Sequence, residues 1–143
     1  MPRFAMLASL VPATLAAAAL GACKPAGPPP LDPNADAYAR QLFEEIRSGA
    51  SLEADPHLAH ELKNPTTEAQ INQFRMLIPA EPPRSVELRD SQVTEDSTGV
   101  TTRLTDVYHY VDRDLVAQTA LFRSPSGVDP VIVGFNLTTS SGG

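Results

Sequence analysis

The sequence contains no tryptophan, a single cysteine and few aromatic residues, which make up 6% of its 143 residues. With one cysteine, Cys23, no internal disulfide can form, so packing must stabilise the fold. The 11 basic residues are outnumbered by 17 acidic ones, and an acidic chain disfavours nucleic acids and anionic lipid headgroups. Length and a hydrophobic content of 42% fit one globular domain and exclude collagen and coiled-coil classes.

Motifs of specific chemistry are also missing. The sequence has no glycine loop that would cradle phosphate, no nucleophile elbow and no basic patch with interleaved aromatic residues. We therefore expect a non-enzymatic protein that has no catalytic residues, needs no cofactor or metal, and does not bind nucleic acid.

The longest apolar run lies at the start of the chain. One basic residue, Arg3, precedes a stretch from residue 4 to residue 20 that is mostly alanine and leucine. This is typical of a signal peptide. A membrane-spanning helix is the alternative, but it needs about 20 uninterrupted apolar residues, whereas this run is shorter and contains Pro12.

The run closes with Leu20-Gly21-Ala22-Cys23, which resembles the lipobox of bacterial prolipoproteins. The resemblance implies cleavage between Ala22 and Cys23, diacylation of the Cys23 sulfur and usually acylation of the new amine. Lipids of this kind would anchor the chain in the bacterial cell envelope. In Gram-negative lipoproteins an aspartate after the cysteine signals inner-membrane retention, and Lys24 here favours the periplasmic side of the outer membrane.

The composition divides the chain into four parts. Residues 1–22 are the predicted signal peptide, and residues 23–34 are the lipidated cysteine with a tether that contains five prolines. Proline favours an extended chain, so this segment would hold the next one clear of the membrane. Residues 35–138 form the predicted globular domain, and residues 139–143 a flexible tail.

Helical spacing dominates the first half of the domain. Tyr38, Leu42 and Ile46 predict a first helix that Asn34 or Asp36 caps and Gly49 ends. A short second helix is predicted after Asp55-Pro56, with Leu58, Ala59 and Leu62 on its apolar face. A third helix is predicted to begin at Thr66 or Thr67, with a capping box of Thr67 and Gln70, and to end before Pro79.

Alternating patterns dominate the second half. Val86 and Leu88 predict a strand, followed by a polar connection over residues 90–99. Further strands are predicted over residues 100–111, 115–122 and 131–137, with short connections that favour an antiparallel meander. The sequence thus predicts an α+β fold in which N-terminal helices pack on a curved four-stranded antiparallel sheet.

This element order resembles the cystatin-like and nuclear-transport-factor-two-like superfamily, in particular small bacterial lipoproteins of unknown function. The resemblance is carried by residues 39–49, 77–81 and 133–137, and covers about residues 35–137. It implies the fold more than an activity, because members include ketosteroid isomerases, ligand binders and adaptor modules. No catalytic motif of the family matches this sequence.

Two clusters of side chains could nevertheless carry chemistry, and each also has a purely structural interpretation. Asp106, Tyr108 and Tyr110 would share one face of a strand, where a carboxylate with a raised pKa could act as a base in a pocket. Alternatively, a β-bulge turns Asp106 to solvent, or it hydrogen-bonds to a neighbouring strand. His57 and His60 with Glu61 are compatible with metal on a helix face, but a solvated face explains them better.

The expected function is therefore that of a membrane-tethered module that contacts an envelope protein or holds a small ligand in the crevice between helices and sheet. The alternative is a small pocket enzyme of ketosteroid-isomerase-like shape that uses Asp106 with Tyr108 or Tyr110.

Overall fold

The computed structural model describes Gly27 and residues 29–141, which form two helices followed by four strands. The predicted signal peptide, Cys23 and the first part of the tether lie outside the described residues. The elements are α1 (Pro33–Ser48), α2 (Pro65–Leu77), β1 (Ser85–Asp96), β2 (Gly99–His109), β3 (Asp114–Arg123) and β4 (Val131–Ser140).

Helix α1 begins earlier than its sequence pattern predicts. The side chain of Asp32 caps it by accepting a hydrogen bond of 2.9 Å from the backbone N–H of Asn34. Pro33 then occupies the first turn, where its missing N–H costs nothing, so the predicted caps Asn34 and Asp36 lie inside the helix. The predicted end is confirmed, because Gly49 closes the helix with a left-handed φ of 76°.

The predicted second helix does not form. Of its residues only His60–Leu62 form a single 3₁₀ turn, and another such turn, Leu52–Ala54, precedes the predicted start. Between them the chain pairs with the edge of the sheet, since the N–H of Ile132 donates to the oxygen of His57 at 2.7 Å and the N–H of Ala59 donates to Ile132 at 2.9 Å. Backbone pairing across the fold therefore outcompeted a short helical pattern.

Helix α2 is capped by Asn64, whose side chain accepts from the N–H of Thr67 at 2.9 Å. Pro65 takes the first helical position. The predicted start at Thr66 or Thr67 is therefore too late, and the capping box predicted from Thr67 and Gln70 does not form, because Asn64 already supplies the cap.

The four strands form an antiparallel sheet in the order β1-β2-β3-β4. The meander predicted for the last three strands is confirmed. The connection predicted over residues 90–99 is wrong for most of its length, because β1 runs to Asp96 with pairs such as Gln92 opposite Arg103. A strand at the edge tolerates a polar sequence, since one of its sides faces water. At the other end, β4 runs to Ser140 and so includes two residues of the predicted tail.

Helices and sheet bury a single core between them. Phe74 of α2 meets Phe135 of β4 edge to face, with ring centroids 5.6 Å apart. Among the described residues, every buried member of the core lies between Ala35 and Leu137, so residues 27–141 include all of the core packing that the structure describes. The fold belongs to the α+β class. Its helices precede the sheet but are not N-terminal, since the first described one begins at Pro33.

No helix in the described part of the chain is both long enough and apolar enough to cross a membrane.

Candidate functional site

Asp106 lies on the face of β2 that the helices cover, and only 1% of its surface is exposed. The register places it between Leu88 of β1 and Ala117 of β3. A β-bulge does occur here, but on the neighbouring strand, where Arg89 is the extra residue between Leu88 and Asp90. The interpretation in which a bulge turns Asp106 to solvent is therefore wrong.

A cation and a second carboxylate from α1 meet Asp106. Arg40 places Nη2 at 3.5 Å from Oδ1 of Asp106 and Nε at 3.1 Å from Oδ1 of Asp36. The first contact is an ion pair without a hydrogen bond, since Oδ1 of Asp106 has no hydrogen-bond partner. Burial raises the pKa of Asp106 to about 7, the charge of Asp36 adds to the rise, and Arg40 opposes it. Near neutral pH this carboxyl is thus only partly ionised.

The two tyrosines share the buried face with Asp106 but do not bond to it. Tyr108 stacks on Phe43 of α1, with ring centroids 3.6 Å apart and planes inclined by 13°. Its hydroxyl and that of Tyr110 are buried without a hydrogen-bond partner. Burial raises the pKa of Tyr108 far above its ordinary value, and the charge of Asp106 raises it further. Burial raises the pKa of Tyr110 as well, so both hydroxyls stay protonated near neutral pH.

None of the three grooves described below is lined by Asp106, Tyr108 or Tyr110. Helix α1 closes over Asp106 from one side, and the sheet closes it from the other. The structure thus brings Asp106 and Tyr108 together on the buried face of β2, where Phe43 stacks on Tyr108 and the partly exposed Arg40 lies beside Asp106.

The most enclosed groove of appreciable size, about 280 Å³, lies between α2 and residues 50–53. Its apolar walls are Leu52, Leu62 and Ile71. The same three side chains also line a gap of about 50 Å³ that reaches Phe135 of the sheet. Groove and gap together form a crevice between the helical layer and the sheet, which we call the α2 crevice.

Arg75 forms one wall of the α2 crevice and is held rigidly. Its Nε donates to the oxygen of Ile46 at 3.0 Å, its Nη2 to the oxygen of Ala50 at 2.9 Å and its Nη1 to Oδ1 of Asn72 at 2.6 Å. Two of these acceptors are the carbonyl of Ile46 in the last turn of α1 and the carbonyl of Ala50 just after the helix, so Arg75 ties α2 to the end of α1. Sequence reasoning missed this residue, because only tertiary structure brings α2 beside the end of α1.

A second groove, of about 370 Å³, lies on the outer face of the sheet. Gln92, Arg103, Gln118 and Asn136 reach into it from the four strands, and its floor is formed where Ala120 faces Gly134. The groove is more open than the α2 crevice, and its charged lining residues are Asp90 and Arg103.

The two histidines of the predicted metal cluster do not share a helix face, since the helix does not form. The ring of His57 stacks on Tyr38 with centroids 3.7 Å apart, while His60 is exposed at the start of a 3₁₀ turn. Beside His57, burial and the carboxyl of Asp55 raise the pKa of Glu45, whereas Gln41 lowers it. Among the described residues, no group of three or more His, Cys, Asp and Glu side chains could hold a metal ion.

No protein-family model, curated protein or solved structure matches this chain. The function must therefore be argued from the residues themselves.

Proposed function

We propose that the protein is a bacterial envelope lipoprotein, anchored through lipid on Cys23, that displays its α+β domain as a non-enzymatic module for a protein partner or a small ligand. The observation that carries this proposal is the lipobox-like sequence Leu20-Gly21-Ala22-Cys23 immediately before a proline-rich segment. Its position after an apolar leader is that of a prolipoprotein signal. Lys24 supports placement on the periplasmic side of the outer membrane in a Gram-negative bacterium.

The start of α1 is consistent with a tether. Residues 24–32 separate Cys23 from the helix, and four of them are proline. An extended proline-rich chain covers about 3.1 Å per residue, so these nine residues span roughly 28 Å. A spacer of this length would hold the domain away from the lipid surface with its grooves accessible.

The domain itself supports binding over catalysis. Its buried carboxyl, Asp106, is closed off from every described groove, while the α2 crevice and the outer groove contain no acid, base or nucleophile arrangement of recognisable chemistry. The α2 crevice combines an apolar strip of Leu52, Leu62 and Ile71 with polar and charged side chains, among them the fixed Arg75, and a concave site of mixed chemistry can hold a ligand. The finer fold proposal is a cystatin-like shape, supported by α1 lying across an antiparallel meander of four strands.

A small pocket enzyme that uses Asp106 is the second candidate. One observation favours it, namely that the pKa of Asp106 is raised to about 7, the range of a general base. It requires that α1 move away from β2 to admit a substrate. Trapping α1 against the sheet with a disulfide should abolish any activity of this kind.

The anchor is tested with the full-length chain expressed in a bacterium and labelled with an alkyne analogue of palmitate. We expect the wild type to carry the label and to begin at residue 23, and Cys23→Ala to carry none and to keep its leader. Ala26→Ser, three residues away, is the matched control and should behave as wild type. Label on Cys23→Ala, or a mature chain that begins elsewhere, would contradict the proposal.

The binding role is tested by mild in-cell cross-linking of the tagged full-length protein, followed by mass spectrometry. A stoichiometric envelope partner would identify an accessory subunit. Absence of both a partner and a bound small molecule, in a lipidated protein, would count against a binding module.

A further inference from the structure

The α2 crevice combines an apolar interior with charge at its rim. The groove and the gap of the α2 crevice share three apolar side chains, Leu52, Leu62 and Ile71. An apolar chain that enters between them therefore stays on one continuous apolar surface. The groove follows α2 from Pro65 to Arg75, a distance of roughly 15 Å at 1.5 Å per residue. Its shape is suited to a short chain and not to a flat ring.

Arg75 supplies a fixed positive charge at one end of this groove. Three of its five N–H donors are used by Ile46, Ala50 and Asn72, none of which carries a charge. No carboxylate of the described residues lies within ion-pair distance of it. Its remaining donors are therefore available to an acceptor, and a carboxylate is the group that a guanidinium binds best.

We propose that the α2 crevice binds a small amphiphilic carboxylate, with its aliphatic chain on Leu52, Leu62 and Ile71 and its carboxylate on Arg75. This inference rests on the proposed function, since it names the ligand class of the module. The chain gains free energy by leaving water, in proportion to the apolar surface that it buries. The head gains a charge-assisted hydrogen bond from a guanidinium that the fold already holds in place, so little side-chain entropy is lost.

The rim contains three further charges. Lys63 attracts a carboxylate, while Glu53 and Glu68 oppose it, and none of the three forms an ion pair with a described residue. Glu53 and Glu68 are exposed, so water and salt screen them. They should weaken the binding without preventing it, and their removal should strengthen it.

The test uses residues 27–141, the segment that contains every described core residue, once a cooperative thermal unfolding transition shows that it is folded. Octanoate is the probe at pH 7, and amide chemical shifts are the readout. We expect saturable shifts at the residues of the α2 crevice. Octyltrimethylammonium has the same chain with a positive head and should bind far more weakly at this site. Acetate has the head without the chain and should not bind there.

Single substitutions assign the roles. Arg75→Met should weaken octanoate binding by about tenfold, the size of one charge-assisted hydrogen bond. Because Arg75 also holds the end of α1, Lys63→Gln and Glu68→Gln provide tests that leave this contact intact. The first should weaken and the second should strengthen binding by about threefold, as expected of exposed charges. Arg103→Gln, on the outer face of the sheet, is the matched control and should change nothing.

Equal binding of the cationic and anionic probes, shifts outside the α2 crevice, or no saturable binding of octanoate would each overturn this inference. Any of these results, combined with a full-length protein that is lipidated on Cys23 and recovers an envelope partner, would reject the ligand class and leave the proposed function in place. Loss of lipidation would reject the anchor without affecting the crevice.

Discussion

Arg40 lies between two carboxylates, and its Nη2 reaches Oδ1 of Asp106 at 3.5 Å across the boundary between α1 and β2. Asp106 is 1% exposed, whereas the Arg40 side chain is 39% exposed and remains in contact with water. The positive charge of Arg40 at the edge of the core thus partly offsets the cost of burying the carboxylate of Asp106. The domain contains a titratable group where most proteins place an apolar one, and its stability should depend on pH accordingly.

Asp106→Asn should remove a fall in stability between about pH 4 and pH 7. The folded pKa of Asp106, about 7, lies above its unfolded value, so the folded state binds the extra proton and the free energy of unfolding decreases as pH rises through this window. The full effect reaches up to about 4 kcal/mol, since each pKa unit corresponds to about 1.4 kcal/mol. Urea unfolding from pH 4 to pH 8 measures it. The exposed Asp90→Asn variant is the control and should keep the wild-type dependence of stability on pH. If the wild type and both variants showed the same dependence, Asp106 would be hydrated and the prediction would be contradicted.

Arg40→Gln should destabilise the domain more at pH 8 than at pH 5. The substitution removes the positive charge that lowers the pKa of Asp106, so Asp36 and Asp106 repel each other once both are ionised. We expect a loss of about 2 kcal/mol at pH 8, less than for a fully buried pair because Arg40 is partly exposed. Denaturant unfolding at the two pH values measures the difference. Arg113→Gln, which removes only an exposed pair with Asp112, is the control, and an equal loss at both pH values would contradict the prediction.

Tyr108→Phe should stabilise the domain. The hydroxyl of Tyr108 is buried without a hydrogen-bond partner, while its ring stacks on Phe43. Removing the hydroxyl relieves its desolvation cost and keeps the stacking, which should raise the free energy of unfolding by about 1 kcal/mol. Thermal melting measures this, and Tyr110→Phe should act in the same direction. Tyr108→Ala, which also loses the ring, should cost about 4 kcal/mol. A lower melting temperature for Tyr108→Phe would indicate that the hydroxyl is bonded, for example to buried water.

Gly49→Ala should destabilise the end of α1. Gly49 has a φ of 76°, and no atom lies within 4 Å of the position that a Cβ would take. The cost therefore comes from the left-handed backbone alone and should be about 1 kcal/mol. Gly27→Ala also introduces a Cβ into open space and serves as the control in the same chemical denaturation experiment. Equal stability of both variants would mean that residue 49 can leave the left-handed region without cost.

Local patterns predicted those elements whose own residues determine them. The spacing of Tyr38, Leu42 and Ile46 marks α1, and Gly49 marks its end, because a glycine accepts the left-handed turn that other residues resist. The last three strands followed from their β-branched residues and short connections. Each of these features depends on neighbours in sequence.

The errors arose where distant segments compete. Leu58 lies on an apolar pattern of helical spacing, yet its segment pairs with Ile132 because the edge of β4 offers backbone hydrogen bonds that a single helical turn cannot match. Residues 90–96 look like a polar loop, yet they pair with β2 along the edge of the sheet. No pattern within either segment signals the partner.

By itself, the sequence determined the α+β class, the impossibility of an internal disulfide and the apolar run that ends in a lipobox-like sequence, since these properties depend on composition and local order. Tertiary structure alone decided that Asp106 is enclosed and that Arg75 lines the α2 crevice without a carboxylate partner among the described residues. Both facts depend on which distant side chains lie against each group, because burial and charge neutralisation are properties of contacts and not of spacing along the chain.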